Sequence, residues 1–94
     1  MLYMVHMLVD IPATLPKEEA DRLKADEKAY AQRLQQEGKW RHLWRIAGQY
    51  ANYSVFDVAS NDDLHETLTA LPLYPYMSLS VTPLAQHPSA IAAN

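Results

Sequence analysis

The chain has 94 residues, a formal net charge of −3, and 49% hydrophobic against 20% charged residues, which together indicate one folded domain and exclude a disordered chain. With eight basic residues and a negative net charge, nothing in the composition indicates a nucleic-acid-binding surface, and the absence of cysteine excludes disulfide and thiolate chemistry. No run of roughly 18 apolar residues is present, so the sequence predicts no membrane span.

The N-terminal segment LYMVHMLVDI predicts a β-strand over Leu2–Ile11, bounded by Pro12. One set of alternating positions is wholly apolar and is expected to face the core: Tyr3, Val5, Met7, Val9 and Ile11. The opposite set is apolar in three of five places: Leu2, Met4, His6, Leu8 and Asp10. A strand that is apolar on both faces is usually covered on both, which favours a protein partner on the open side of the sheet. Since the segment has no basic start and no cleavage site, we expect it to be structural rather than a signal peptide.

A helix and two strands are predicted next. The helix is expected over about Lys17–Gln36, with Pro16 at its start and Gly38 as its terminator. The segment WRHLWRIAG alternates as a strand does. Its two predicted faces carry Trp40, His42, Trp44 and Ile46 on one side and Arg41, Leu43 and Arg45 on the other. The segment YANYSVFDV, residues Tyr50–Val58, predicts a second strand that pairs with the first as a hairpin.

The last third of the chain predicts a helix, a strand and an arm. The segment SNDDLHETLTAL, with Ser60 as its N-cap, predicts a short helix ending near Leu71, and Tyr76–Val81 predicts the last strand. Residues 82–94 contain two prolines and little periodicity, so we expect a C-terminal arm, either loose or laid on a neighbouring subunit. The order β-α-β-β-α-β predicts a single α+β domain over residues 1–94 with the ferredoxin-like arrangement, an antiparallel four-stranded sheet with both helices on one face. The uncovered face of that sheet predicts a homo-oligomer.

Glu27 lies within the apolar stripe of the first predicted helix. At about 100° per residue it falls about 40° from Leu23, inside the stripe. A carboxylate buried without a partner has a raised pKa, which suits a general base near neutral pH. The alternatives are a side chain that reaches solvent at the rim, or an ion pair with Arg41, Arg45 or Lys24. The helical pattern alone leaves these alternatives open.

Further candidate residues are expected near this carboxylate. Arg41 and Arg45 stand among tryptophans on one strand, which suits a planar anionic ligand, although solvated arginines on an edge strand fit the pattern equally well. Lys24 borders the apolar stripe and is either a carboxylate ligand or a surface lysine. Asn52 shares a predicted strand face with Tyr50, where the two side chains either polarise a carbonyl group, form the polar side of the sheet or make a hydrogen bond at an interface.

No motif for a metal or a nucleotide is present. The four histidines lack metal-ligand spacing, and the two glycines form no phosphate-binding loop. Neither a nucleophile elbow nor a Ser-His-Asp pattern occurs. We therefore expect an activity that uses no metal and no cofactor.

Two segments, LKADEKAYAQRLQQEGKWRHLWRIAGQYANYSVFDV and LPLYPYM, closely resemble the muconolactone isomerase family. The similarity runs from the first strand to the HPS of the tail, nearly the whole chain. The resemblance implies a ferredoxin-like subunit in a ring-like homo-oligomer, commonly a decamer, and a bacterial, cytoplasmic enzyme of catechol breakdown in the β-ketoadipate pathway. The implied reaction is a cofactor-independent shift of a C=C bond in (S)-muconolactone that gives the 3-oxoadipate enol-lactone.

The resemblance also implies roles for individual residues. Glu27 would be the base that moves the proton, with Lys24 as a cation beside it. Substrate-binding roles would fall to Tyr50, Asn52, Arg41 and Arg45. Three other functions stay open on the sequence: a chloromuconolactone dehalogenase built on the same frame, a non-catalytic small-ligand-binding oligomer, and a cofactor-free monooxygenase.

Overall fold

A computed structural model describes residues 1–94 and has the predicted order of elements. The helices and strands are β1 Leu2–Val9, α1 Lys17–Gln36, β2 Trp40–Arg45, β3 Ala51–Asp57, α2 Asn61–Thr69 and β4 Met77–Leu84. A single 3-10 turn, Tyr74–Tyr76, precedes β4. The predicted ferredoxin-like α+β fold is confirmed. Neither helix is long and apolar enough to cross a membrane.

The helix boundaries follow from local chemistry. Two acidic residues lie in the first turn of α1, where they complement the positive end of the helix dipole. Gly38 stops α1 with a φ of 81°, a left-handed conformation that glycine adopts without steric cost. The hydroxyl of Ser60 caps α2 by accepting a 3.1 Å hydrogen bond from the backbone N–H of Asp63. The predicted bounds of α1 and the predicted N-cap of α2 are therefore confirmed.

The four strands form one antiparallel sheet in the order β2-β3-β1-β4. β1 is central because it pairs with β3 on one side and with β4 on the other. Its register aligns Val5 with Ser54 of β3 and with Val81 of β4. The predicted hairpin of β2 and β3 is confirmed by their pairing.

Both helices pack on one face of this sheet, as predicted. The core contains alternate residues of β1, including Tyr3, Val5 and Met7, each at most 1% exposed. Leu34 of α1 and Leu68 of α2 belong to the same buried cluster. The two helices are also linked directly, because the hydroxyl of Tyr30 donates a 2.9 Å hydrogen bond to the backbone carbonyl of Thr67. Val9 is buried too, whereas Ile11 lies beyond the end of the strand and is only half-buried.

The predicted alternation along β2 is wrong, because a β-bulge interrupts it. Trp40 pairs with Phe56, but the next pair is His42 with Val55, so the register shifts between Trp40 and His42. An extra residue in one strand reverses the faces of all residues beyond it. Trp40 therefore faces the helices, while His42 and Trp44 lie on the opposite face with their rings stacked 5.1 Å apart.

The C-terminal strand is longer than the sequence predicts. β4 continues to Leu84 because its backbone pairs with β1 as far as Leu2, so the first three residues of the predicted arm belong to the sheet. The remaining residues 85–94 form no helix or strand and are exposed. They extend the molecule, whose radius of gyration of 14.4 Å exceeds the value of about 12 Å expected for a compact chain of this length.

The sheet face opposite the helices, which we term the open face, carries large apolar side chains. Exposed members on its four strands are Met4, Leu8, Trp44, Tyr53 and Leu84. His6 also lies there and meets the ring of Tyr53 edge-on at 5.1 Å. A face with this much exposed apolar surface is typical of a protein interface.

Candidate active site

A cavity of about 360 Å³ lies between α1 and the helix-facing side of the sheet. Its wall on α1 is formed by Lys24, Glu27, Lys28, Ala31, Gln32 and Gln35. The sheet and its connections contribute Val9, Trp40, Leu43, Arg45, Tyr50, Ala51, Asn52, Leu73 and Met77. This volume is within the range of sites that hold small organic ligands.

Glu27 is half-buried at this cavity and holds one hydrogen bond. Its Oε1 accepts a 3.0 Å bond from the backbone N–H of Leu73, which follows α2. Burial raises the pKa of the Glu27 carboxyl above its ordinary value, and the hydrogen bond from Leu73 lowers the pKa by less. Its basicity is thereby increased, as proton abstraction near neutral pH requires.

No cation neutralises Glu27. The four ion pairs of the protein involve other groups: the N-terminus with Asp57, Lys17 with Asp21, Arg33 with Glu37, and Arg41 with Asp57. The alternative of a buried ion pair with Lys24, Arg41 or Arg45 is therefore not what the structure shows. Glu27 is a carboxylate that is partly removed from water and held by a single backbone donor.

Positive charge nevertheless surrounds the cavity. Lys24 lies one turn before Glu27 on α1, and Lys28 is the next residue after it, so both line the same wall. Arg45 lines the opposite wall, with its guanidinium carbon 5.4 Å from the centre of the Tyr50 ring. Stacking on an aromatic ring holds a guanidinium group in place without using its hydrogen-bond donors.

Arg41 is the one predicted site residue that the fold does not bring to this cavity. Its guanidinium lies 3.6 Å from a carboxylate oxygen of Asp57, near the start of β2, whereas Arg45 is at the end of the strand. The β-bulge separates the two arginines, which the predicted alternation had placed on the same face.

Asn52 and Tyr50 reach the cavity from β3 and the turn before it. The Oδ1 of Asn52 accepts a 2.7 Å hydrogen bond from the hydroxyl of Ser54, two positions along the same strand face. Five of the six predicted site residues are therefore together, and the apolar wall of Trp40, Leu43 and Met77 faces them. The cavity can accommodate an organic body beside a half-buried carboxylate and several cations.

Two parts of this site were not predicted from the sequence. The Leu73 amide gives no sequence signal, because it is a backbone group 46 positions from Glu27. Helical periodicity could have indicated Lys28, because at about 100° per residue it lies about 40° beyond Lys24 on the same side of α1. No group of three or more histidine, aspartate or glutamate side chains is arranged to hold a metal ion.

The fold and the cavity define a ferredoxin-like α+β protein whose site combines a partly desolvated carboxylate with flanking cations. The family model described as muconolactone delta-isomerase matches residues 1–90. The chain is 60% identical to the muconolactone Delta-isomerase of Cupriavidus pinatubonensis, over 97% of this chain and 99% of that one. It is 57% identical to the enzyme of the same name from Pseudomonas aeruginosa, over 100% and 98% of the two chains.

A solved structure agrees with these sequence matches. The crystal structure of a muconolactone isomerase superposes with a TM-score of 0.95 at 58% identity, covering 100% of this chain and 98% of the other. The chain belongs to the muconolactone Delta-isomerase family.

Proposed function

We propose that the protein is an isomerase that converts (S)-muconolactone to the 3-oxoadipate enol-lactone. The observation that carries the proposal is Glu27, a half-buried carboxylate with a raised pKa and no cationic partner, at a cavity lined by Lys24, Lys28 and Arg45. The reaction needs one base and a site for an anionic lactone, and the carboxylate and the cations that line this cavity support the proposal on both points. Family membership over nearly the whole chain supports the same substrate.

The chemistry is a proton shift that leaves the composition of the substrate unchanged. The Glu27 carboxylate takes the proton from the ring carbon that bears the carboxymethyl arm, and the electrons move into the ring as a dienolate. The carboxylic acid then returns a proton to the carbon next to the lactone carbonyl, which moves the double bond. One carboxylate that reaches both carbons completes the cycle and is regenerated.

The hydrogen bond from the Leu73 amide gives the two carboxylate oxygens of Glu27 different roles. Oε1 is held by the backbone N–H, so Oε2 is the oxygen available to carry the proton between the two carbons. A base fixed in this way needs little reorganisation in the transition state, which lowers the barrier. Because the donor is a backbone amide, it persists when side chains move.

Negative charge develops on the lactone oxygen in the dienolate, and the substrate also carries a free carboxylate. The Asn52 amide and the Tyr50 hydroxyl are the donors proposed for the lactone oxygens. Lys24 and Arg45, with Lys28 beside them, are the cations proposed for the free carboxylate. Arg41 is not included, because it pairs with Asp57 away from this cavity.

We also propose that the open face is covered by further copies of this chain in a ring-like homo-oligomer of about ten subunits, the size that the family resemblance implies. The open face is apolar and its central positions on β1 carry no charged side chain, which suits contact between identical subunits. Residues 85–94 would lie against a neighbouring subunit. The proposed setting is the bacterial cytoplasm, in catechol breakdown.

The direct test is a spectrophotometric assay of the purified protein with (S)-muconolactone, with the 5-chloro analogue in parallel. Turnover of muconolactone to the enol-lactone is expected. If the protein releases chloride from the analogue but does not isomerise muconolactone, it is a dehalogenase and the proposal is wrong. If neither compound reacts and both bind, the protein is a ligand-binding oligomer.

A further inference from the structure

Ser54 is a polar residue in the core that no step of the proposed reaction uses. It lies in the middle of β3 with 0% of its surface exposed, and it does not line the cavity. Its hydroxyl donates a 2.7 Å hydrogen bond to Oδ1 of Asn52, and this is its only side-chain hydrogen bond. Asn52 itself lines the cavity, so Ser54 would affect the substrate only through its contact with Asn52.

The direction of this bond follows from the burial of Ser54. A buried hydroxyl needs an acceptor for its proton, because an unsatisfied donor costs about 1–3 kcal/mol. The only side-chain hydrogen bond of this hydroxyl goes to Asn52, so the oxygen of the Asn52 amide, and not its nitrogen, faces Ser54. The amide is planar, and the Nδ2 atom with its two protons therefore points away from Ser54.

We propose that Ser54 is a positioning residue that fixes the orientation of the Asn52 amide and so determines that Asn52 offers a donor to the substrate. This inference deepens the proposed function and rests on it. A freely rotating amide would present its oxygen to the ligand part of the time. An amide oxygen that faces the ligand repels the negative charge of a dienolate or a carboxylate, whereas a fixed N–H stabilises that charge.

A neighbouring arginine explains why the Asn52 amide needs a residue that holds its orientation. Arg45 pairs with Asn52 across β2 and β3, so a guanidinium group and the amide lie on the same face of the sheet. An unconstrained Asn52 oxygen would be drawn toward that guanidinium and would occupy one of its donors. The hydroxyl of Ser54 competes for the oxygen, and both Arg45 and the amide N–H remain available for the ligand.

The test compares Ser54→Ala, Asn52→Asp and the double variant with the wild type. Asn52→Asp keeps an oxygen for Ser54 and loses the N–H, so we expect kcat to fall about 100-fold or more. Ser54→Ala should lower kcat about 3- to 10-fold, because the donor remains but its orientation is lost. The double variant should match Asn52→Asp within about 2-fold, since Ser54 acts only through the amide. Ser54→Cys, a weaker donor of similar size, should give an intermediate kcat.

Thr67→Val is the matched control. It also removes a buried hydroxyl, one that bonds the Asp63 carbonyl within α2 and does not line the cavity. It should lower the melting temperature and leave kcat unchanged. A Ser54→Ala variant that loses melting temperature but keeps the wild-type kcat would show a structural role only and would overturn the inference.

A second measurement is independent of turnover. The side-chain amide resonances of Asn52 in the intact protein should shift in Ser54→Ala and stay in place in Thr67→Val. If they do not shift in Ser54→Ala, the hydrogen bond does not hold the amide and the inference is wrong. If the wild type fails to isomerise muconolactone, the proposed function falls, and these resonances alone decide whether Ser54 orients Asn52.

Discussion

The backbone N–H of Leu73 donates a 3.0 Å hydrogen bond to Oε1 of Glu27, from a residue 46 positions further along the chain. The contact joins α1 to the segment that leaves α2, and it fixes the carboxylate at the edge of the cavity. Two effects on the pKa of Glu27 oppose each other there: burial raises it and the hydrogen bond lowers it, and burial is the larger. The carboxylate is therefore both held in place and more basic than an exposed glutamate.

Replacing this carboxylate should remove most of the activity. Glu27→Gln keeps a side-chain oxygen for the Leu73 amide but cannot accept a proton, so kcat should fall about 10²- to 10⁴-fold in the muconolactone assay. The matched control is Glu18→Gln, the same change at an exposed site on the same helix, which should keep wild-type kinetics. A Glu27→Gln variant that retains most of its rate would place the base elsewhere.

The dependence of the rate on pH should report the same carboxyl. Only ionised Glu27 can take a proton, so kcat/KM should rise with pH through the pKa of this residue and then level off. Because burial raises that pKa, the rise should lie above the ordinary glutamate range of about 4.3. The measurement is kcat/KM across a pH series at constant ionic strength. A midpoint at or below the ordinary value would contradict a desolvated base.

Stability should respond to pH in the opposite direction. The folded-state pKa of Glu27 is raised, so below the unfolded value of about 4.3 the group is neutral in both states and has no effect. As pH rises from there through the folded pKa, the unfolded state releases its proton first and the wild type loses stability. Glu27→Gln lacks this loss, so it should melt higher than the wild type at pH 8, and the difference should vanish near pH 4. Calorimetric melting of both proteins across that range checks the sign.

The two arginines of β2 should differ in their effect on substrate binding. Arg45→Ala removes a cation from the cavity and should raise KM about 10-fold or more, as expected for the loss of a charged hydrogen bond. Arg41→Ala serves as the control, because its guanidinium pairs with Asp57 outside the cavity. It should leave KM within about 2-fold and cost at most about 1 kcal/mol of stability. Equal effects of the two changes on KM would contradict the assignment of Arg45, and not Arg41, to substrate binding.

Removal of residues 85–94 should reduce the assembly without unfolding the subunit. These residues form no helix or strand and contribute no buried side chain, so the circular dichroism of the truncated chain should match that of the full chain. If the arm lies on a neighbouring subunit, the mass from sedimentation equilibrium should fall toward that of one truncated subunit, which is below the 10.7 kDa of the full chain. The companion variant Trp44→Glu places a charge on the open face and should have the same effect on mass. An unchanged mass in both would argue against the proposed assembly.

The local sequence was sufficient to predict the helices and most of the strands. The bounds of α1 follow from an apolar stripe of helical period together with Gly38, whose left-handed φ stops the helix. The alternation of β1 correctly predicted Tyr3, Val5 and Met7 in the core, since that strand has no bulge. The end of β4 was missed because Leu84 is in the sheet only through its pairing with Leu2, which no local pattern contains.

In the candidate site, too, the local sequence predicted one part and only the tertiary structure decided the other. Helical periodicity determined that Glu27 points inward from α1, because 3.6 residues per turn fix the direction of each side chain. Only the tertiary structure decided that its partner is the Leu73 amide and not an arginine, since that contact depends on where the chain returns after α2. The bulge after Trp40 likewise decided which arginine faces the cavity. Backbone hydrogen bonds and strand register depend on segments far apart in the chain, and local residue order does not specify them.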